Sequence, residues 1–141
     1  MSRMIKLDGS GKERTLLTRS VLRAIQELMR QTEVDDKTRD LASFIVLALE
    51  AIHQTIDQSV QAWENRGYWL KADRFRLEWE WAGLLADKMR QAIFTDDWDT
   101  VAVTAVKVSS RLENVQLPKR QPQTEPWKGA WEQLSSVTRP K

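Results

Sequence analysis

The spacing of apolar residues between positions 68 and 93 constrains this chain more than any other feature of its sequence. The apolar positions alternate in steps of four and three residues, and they are Tyr68, Ala72, Phe75, Trp79, Ala82, Ala86, Met89 and Ile93. This alternation places one continuous stripe along a single helix, which is typical of a helix that packs into a bundle. The segment therefore predicts a long amphipathic helix with helical neighbours.

Three other segments have a similar periodicity, and short connections between them favour antiparallel neighbours. Ser10 and Glu13 have the spacing of a capping box, Asp35 or Asp36 suits a helix N-terminus, and Gly67 suits a helix end. The sequence thus predicts an all-α, antiparallel four-helix bundle with helices over about 11–31, 35–66, 68–93 and 96–115. The valine-rich fourth segment would also suit a strand.

The C-terminal part of the chain is divided by prolines. Pro118 and Pro122 end the fourth helix. Trp127, Trp131 and Leu134 then follow at steps of four and three, which predicts a short helix over about 127–135 that Thr124 would cap. We therefore expect a bundle domain at 1–117 and, at 118–141, a linker with an amphipathic docking segment. This segment could dock on its own bundle, dock on another molecule, or be disordered.

The third helix carries a second apolar face, opposite its bundle stripe. A bundle helix needs only one apolar stripe, so this face needs a cover, unless its residues are scattered surface apolars or an irregular bundle buries both faces. The cover would be a second copy of the chain, a different protein, or the chain's own tail at 118–141. Seven tryptophans in 141 residues are many, and tryptophan is enriched in binding hot spots. The residues expected at a protein interface are Leu70, Leu77, Trp81, Leu84, Trp127, Trp131 and Leu134.

Charge is distributed unevenly along the chain. The first 30 residues carry seven Lys/Arg and three Asp/Glu, the next 76 carry eight and fourteen, and the last 35 carry seven and three. Basic ends therefore flank an acidic middle, and such ends can be solvated surface or can meet phosphates. The candidate phosphate contacts are Arg14, Arg19, Arg23, Arg30, Lys107, Arg111, Lys119 and Arg120.

Residues for catalysis or metal binding are scarce. The chain has no cysteine and one histidine, which excludes cysteine zinc sites, thiol nucleophiles and histidine-cluster metal sites. Glu50 and His53 have the spacing that di-iron carboxylate bundles use, but such a site needs two of these motifs. Residues Asp8–Lys12 resemble part of a phosphate-binding loop, but Glu13 stands where the motif has Ser or Thr. We therefore expect no enzyme activity, cofactor, metal or small-molecule substrate.

Two functions remain for such a chain. The first is a helical interaction protein, either a homo-oligomer or a small subunit of a larger assembly, and the sequence favours it. The second is a subunit that binds the nucleic-acid backbone without reading sequence. In size and class the chain is similar to the small helical subunits that line nucleic acid in some CRISPR effector complexes. The N-terminus lacks the apolar core of a signal peptide and no apolar run is long enough to span a bilayer, so we expect a cytoplasmic protein without membrane contact.

Overall fold

Helices are the only regular secondary structure in the part of the chain that the structure describes. The computed structural model describes the backbone of residues 2–137 and the side chains of residues 10–136. The helices are α1 (Ser2–Met29), α2 (Asp36–Asn65), α3 (Trp69–Phe94), α4 (Trp98–Arg111) and α5 (Ala130–Val137). The predicted all-helical class is confirmed.

Helix α2 occupies the centre of the fold, with α1, α3 and α5 packed against it. The side-chain pairs between α2 and α3 run in opposite directions: Trp63 meets Phe75 at 4.9 Å between ring centroids, and Glu50 pairs with Arg90. Helix α1 is also antiparallel to α2, because the Ser10 hydroxyl near its start donates to the Thr55 carbonyl at 3.1 Å. Helix α4 packs on α3 and on α1.

The helix ends follow local capping rules. Asp35 accepts a hydrogen bond from the Thr38 N–H at 3.0 Å, and Asp97 accepts one from the Thr100 N–H at 3.2 Å. Gly67 has φ +84°, and the next amide, of Tyr68, donates back to the Trp63 carbonyl at 2.9 Å. This is the Schellman arrangement, so Gly67 ends α2 as its sequence position predicts.

The core lies along α2. A larger cluster gathers side chains from all five helices, and its fully buried members include Leu41, Ile45, Leu49, Met89 and Leu134. A smaller cluster contains Ile56, Val60 and Ala72 beneath partly buried aromatic rings. Burial of apolar side chains, as in these two clusters, is the main favourable term in folding.

The observed boundaries correct three predictions. Helix α1 begins at Ser2, not near Gly11, and no capping box forms because the Ser10 hydroxyl is directed to α2 instead. Helix α4 ends at Arg111, four residues before the predicted 115. Helix α5 begins at Ala130, not at 127, because Gly129 adopts φ +80° in the turn before it. The predicted domain boundary at 117/118 falls in the irregular segment between α4 and α5.

Candidate functional site

Three leucines form a row of exposed apolar side chains along α3, called here the leucine row. Leu70, Leu77 and Leu84 are 66%, 69% and 62% exposed, and their spacing of seven residues keeps them on one side of the helix. Trp81 does not join them. It is 8% exposed and stacks on Trp79 at 5.7 Å between ring centroids, so its expected place on this exposed face is wrong.

Two aromatic side chains stand exposed beside the leucine row, at the start of α3. Tyr68 and Trp69 line an open cavity of about 770 Å³ together with Lys71 and Arg74. Sequence periodicity assigns Tyr68 to the buried stripe, but the turn at Gly67 leaves it on the surface. Trp69 belongs neither to the buried stripe of α3 nor to the leucine row. The periodicity of the sequence therefore did not predict that it would be exposed.

The C-terminal segment docks on its own chain. Trp127 and Leu134 are buried, and the Trp131 ring lies 5.5 Å from that of Phe94. The Asp40 carboxylate on α2 accepts hydrogen bonds from the Gly129 N–H at 3.2 Å and the Trp131 N–H at 2.9 Å. The sequence left several alternatives open for this segment, and in the structure it docks on the bundle of its own chain. The receptor is α2 rather than the face around Leu70 and Trp81, and Thr124 does not cap the helix.

Arg23 on α1 holds the other end of the same segment. Its guanidinium donates to the carbonyls of Pro122 and Thr124, both at 3.0 Å, and lies 5.4 Å from the centre of the Trp127 ring. Arg30 pairs with Glu27 at 3.3 Å. Arg23 is thus occupied inside the chain and Arg30 is partly neutralised, which weakens the expected phosphate contacts at both positions.

Arg14 and Arg19 have different surroundings from the other predicted basic residues. Both are half-buried on α1, and neither forms an ion pair with a carboxylate in the described part of the chain. Arg14 donates to the Ser59 hydroxyl at 3.0 Å and its guanidinium lies 4.9 Å from the centre of the Phe75 ring. Burial lowers the pKa of the Arg14 guanidinium because desolvation disfavours its charge.

The remaining predicted basic residues are exposed. Lys107 and Arg111 lie on α4, whereas Lys119 and Arg120 lie on the irregular segment that leads to the tail. That segment begins beside Arg14 and Arg19, since Val115 and Gln116 line a cavity with both arginines. The structure therefore brings Arg14, Arg19 and the start of this segment together, but it does not gather all eight predicted residues.

The acidic and histidine side chains of α2 have structural partners. Glu50 pairs with Arg90 of α3, and His53 lies 3.7 Å from Asp57. A Cβ added at Gly83 would approach the His53 ring at 3.3 Å, so the glycine allows α2 and α3 to approach each other here. Among the described residues, no group of three histidine, aspartate or glutamate side chains is arranged to hold a metal ion.

Comparisons with known proteins add no relative from which a role could be transferred. No protein-family model, curated protein or solved structure matches this chain. In the part of the chain that the structure describes, none of the helices combines the length and apolarity that crossing a bilayer requires.

Proposed function

We propose that this chain is an antiparallel four-helix bundle that acts as an interaction protein by pairing with a second copy of itself along α3. The observation that carries this proposal is the exposed leucine row. Single exposed leucines are ordinary on a protein surface, but three at equal intervals on one line of a helix form a regularly spaced apolar strip. The strip extends for about 21 Å, and the exposed Trp69 at its end adds the residue type most enriched in binding hot spots.

The occupant of this surface is a second copy because the leucine row is complementary to itself. A two-fold axis brings the same patch of both subunits together, so leucines at equal intervals on one subunit contact the leucines of the other. Spacing of seven residues is also the repeat by which paired helices keep a seam in contact. The row, with three leucines, is short for a coiled coil, so the exposed aromatics at the start of α3 contribute to the same interface.

Charges beside the leucine row favour a parallel arrangement of the two α3 helices. Projected at 100° per residue, Arg74 and Lys88 lie along one edge of the row. The acidic side chains Glu80 and Asp87 lie along the other edge, and all four of these side chains are exposed. A parallel two-fold pair places the basic edge of one helix against the acidic edge of the other, whereas an antiparallel pair places like edges together.

The mass of the protein in solution tests this proposal. Sedimentation equilibrium of the whole chain should give twice 16.4 kDa, and Leu77→Glu should give 16.4 kDa, because a carboxylate at the centre of the row cannot be buried unpaired. The matched control is Leu16→Glu on α1, whose parent leucine is 63% exposed and lies outside the row. A monomeric wild type, or equal loss of pairing in both variants, would contradict the proposal.

The orientation of the pair can be tested by cross-linking, since the chain has no cysteine of its own. In a parallel pair, Leu70→Cys meets its own counterpart and should form an intermolecular disulfide on mild oxidation. In an antiparallel pair, a disulfide would form only when the Leu70→Cys and Leu84→Cys variants are mixed. That second result would overturn the parallel arrangement while leaving the pairing itself intact.

A further inference from the structure

A cavity of about 330 Å³ lies between α1, α3 and the segment that follows α4. Its walls combine cationic, hydroxyl and aromatic side chains without a carboxylate. The lining residues are Arg14, Thr15, Thr18, Arg19, Trp79, Val115 and Gln116. The leucine row is on the opposite side of α3 from Trp79, so this cavity is separate from the proposed pairing surface.

The two arginines of the cavity have unused hydrogen-bonding capacity. The Nε atoms of Arg14 and Arg19 are both buried, and neither has a hydrogen-bond acceptor in the described part of the chain. The only polar partner of the Arg14 guanidinium there is the Ser59 hydroxyl, a neutral group. Partial burial of a cation without an anionic partner has a desolvation cost, and an oxyanion entering the cavity would offset it.

We propose that this cavity binds a phosphate of a single-stranded nucleic-acid backbone. Guanidinium groups match the geometry of phosphate oxygens and keep their charge at neutral pH. Trp79 stacks on Trp81 and is partly exposed in the cavity wall, so the accessible part of its ring can take a base, and such stacking does not depend on sequence.

The surroundings of the cavity favour a strand over a free phosphate. Lys119 and Arg120 are exposed and follow Gln116 by three and four residues, so two further cations lie a short stretch of chain away from the cavity lining. A strand would meet these side chains with its neighbouring phosphates, whereas a small anion would use only the two arginines. The contacts are all to backbone phosphate or to a ring face, so binding would be sensitive to salt and indifferent to sequence.

Fluorescence anisotropy of a labelled single strand of about twelve nucleotides, titrated with the full chain between about 50 and 200 mM salt, tests the proposal. The key variant is Arg19→Gln, because the Arg19 side chain makes no hydrogen bond that holds the fold together in the described residues. We expect at least fivefold weaker binding. We also expect the slope of log affinity against log salt to become shallower by about 0.7, the value of one phosphate contact on a single strand.

The matched control is Lys37→Gln, which removes one exposed positive charge near the start of α2, about 33 Å along that helix from Ser59. It should leave both the affinity and the salt slope unchanged. Arg14→Lys keeps the charge but loses the planar fork, and it should weaken binding without a change in slope.

Three results would overturn the inference. They are absence of strand binding at the lowest salt, equal effects of Arg19→Gln and Lys37→Gln, and binding of inorganic phosphate or a mononucleotide at this cavity without binding of the strand. Leu77→Glu should bind the strand with the wild-type salt slope, so failure of the pairing proposal and failure of this one are distinguishable.

Discussion

At the scale of single residues, Asp40 is the side chain on which the position of the tail depends most. Its two carboxylate oxygens accept from the Gly129 and Trp131 amides, so it does for α5 what an N-cap residue does for its own helix. Asp40→Ala would remove two hydrogen bonds to a charged acceptor, one from the exposed Gly129 amide and one from the half-buried Trp131 amide.

Asp40→Ala should lower the free energy of unfolding by about 1–3 kcal/mol. Urea unfolding followed by tryptophan fluorescence measures this change, because Trp127 and Trp131 report directly on the tail. Asp36→Ala is the control, since that exposed carboxylate makes only a 3.8 Å contact with Arg39. Equal effects of the two substitutions would show that the Asp40 contacts do not hold the tail.

Asp35 gives the fold an acid-sensitive contact. The Thr38 backbone N–H, and then the Thr38 hydroxyl, stabilise its charged form and lower the pKa of the Asp35 carboxyl. A carboxyl with a lower pKa in the folded state stabilises the fold above its unfolded pKa of about 3.9. That stability is lost as the pH falls through the folded-state pKa.

Asp35→Asn should therefore have near-wild-type stability at pH 7, since Asn is also a good N-cap. Its melting temperature should fall less steeply than that of the wild type below about pH 4. Thermal melts by circular dichroism across pH 2 to 7 measure both properties. An unchanged acid slope would mean that Asp35 does not contribute to the acid sensitivity.

Local residue roles could be predicted from the sequence, but distant partners could not. Asp35 and Gly67 act on amides within five residues, so spacing alone indicates their roles. Arg23 was predicted to contact phosphate, yet it donates to carbonyls 99 and 101 positions away. No local pattern carries that information, because it arises only when the tail returns across α1.

At the scale of elements, α5 is stable only through its packing. Eight residues are too few for a stable isolated helix, and its apolar residue Leu134 is fully buried against the rest of the molecule. The apolar spacing of the tail correctly predicts a short amphipathic helix. It does not distinguish its receptor, because the same face would fit a groove on this chain or on another.

Leu134→Ala should cost about 2–5 kcal/mol, the range for removing a large aliphatic side chain from a core. Hydrogen exchange should show loss of protection over residues 130–137 before the rest of the chain opens. Leu16→Ala deletes the same atoms at a 63% exposed site and should change stability by less than about 0.5 kcal/mol. Equal effects would show that α5 is not docked in solution.

The buried face of α3 could be predicted from the sequence, but the burial of Trp81 could not. Its buried stripe follows from spacing, because bundle packing and helical periodicity act together. Trp81 lies near the exposed leucines in projection, but its large ring turns inward and stacks on Trp79. The rotamer of a long aromatic side chain decides such cases, and a helical projection contains no rotamers.

At the scale of the whole molecule, docking of the tail buries the tail's own apolar face. Two other candidate surfaces stay accessible, the leucine row and the cavity beside Arg14 and Arg19. Trp127 and Leu134 are buried in the chain's own core and Trp131 is half-buried, so the leucine row is the most accessible part of the predicted protein interface. Arg14 and Arg19 are the predicted phosphate contacts that the structure brings together without carboxylate partners. The sequence predicted these residue types but not their grouping, which depends on how α1, α3 and the segment after α4 pack.

The two contacts of the tail also determine the order in which the molecule is completed. Arg23 and Asp40 lie near the beginning of the chain, and their tail partners follow 89 to 101 residues later. Helices α2 and α3, by contrast, are joined by a three-residue turn and can pair while the chain is still short. Closing a long loop is entropically costly and slow, so the tail is the last part to dock on the rest of the molecule. During synthesis, every copy therefore passes through a stage in which the α2 surface that receives Leu134 is bare, until the residues of α5 have left the ribosome.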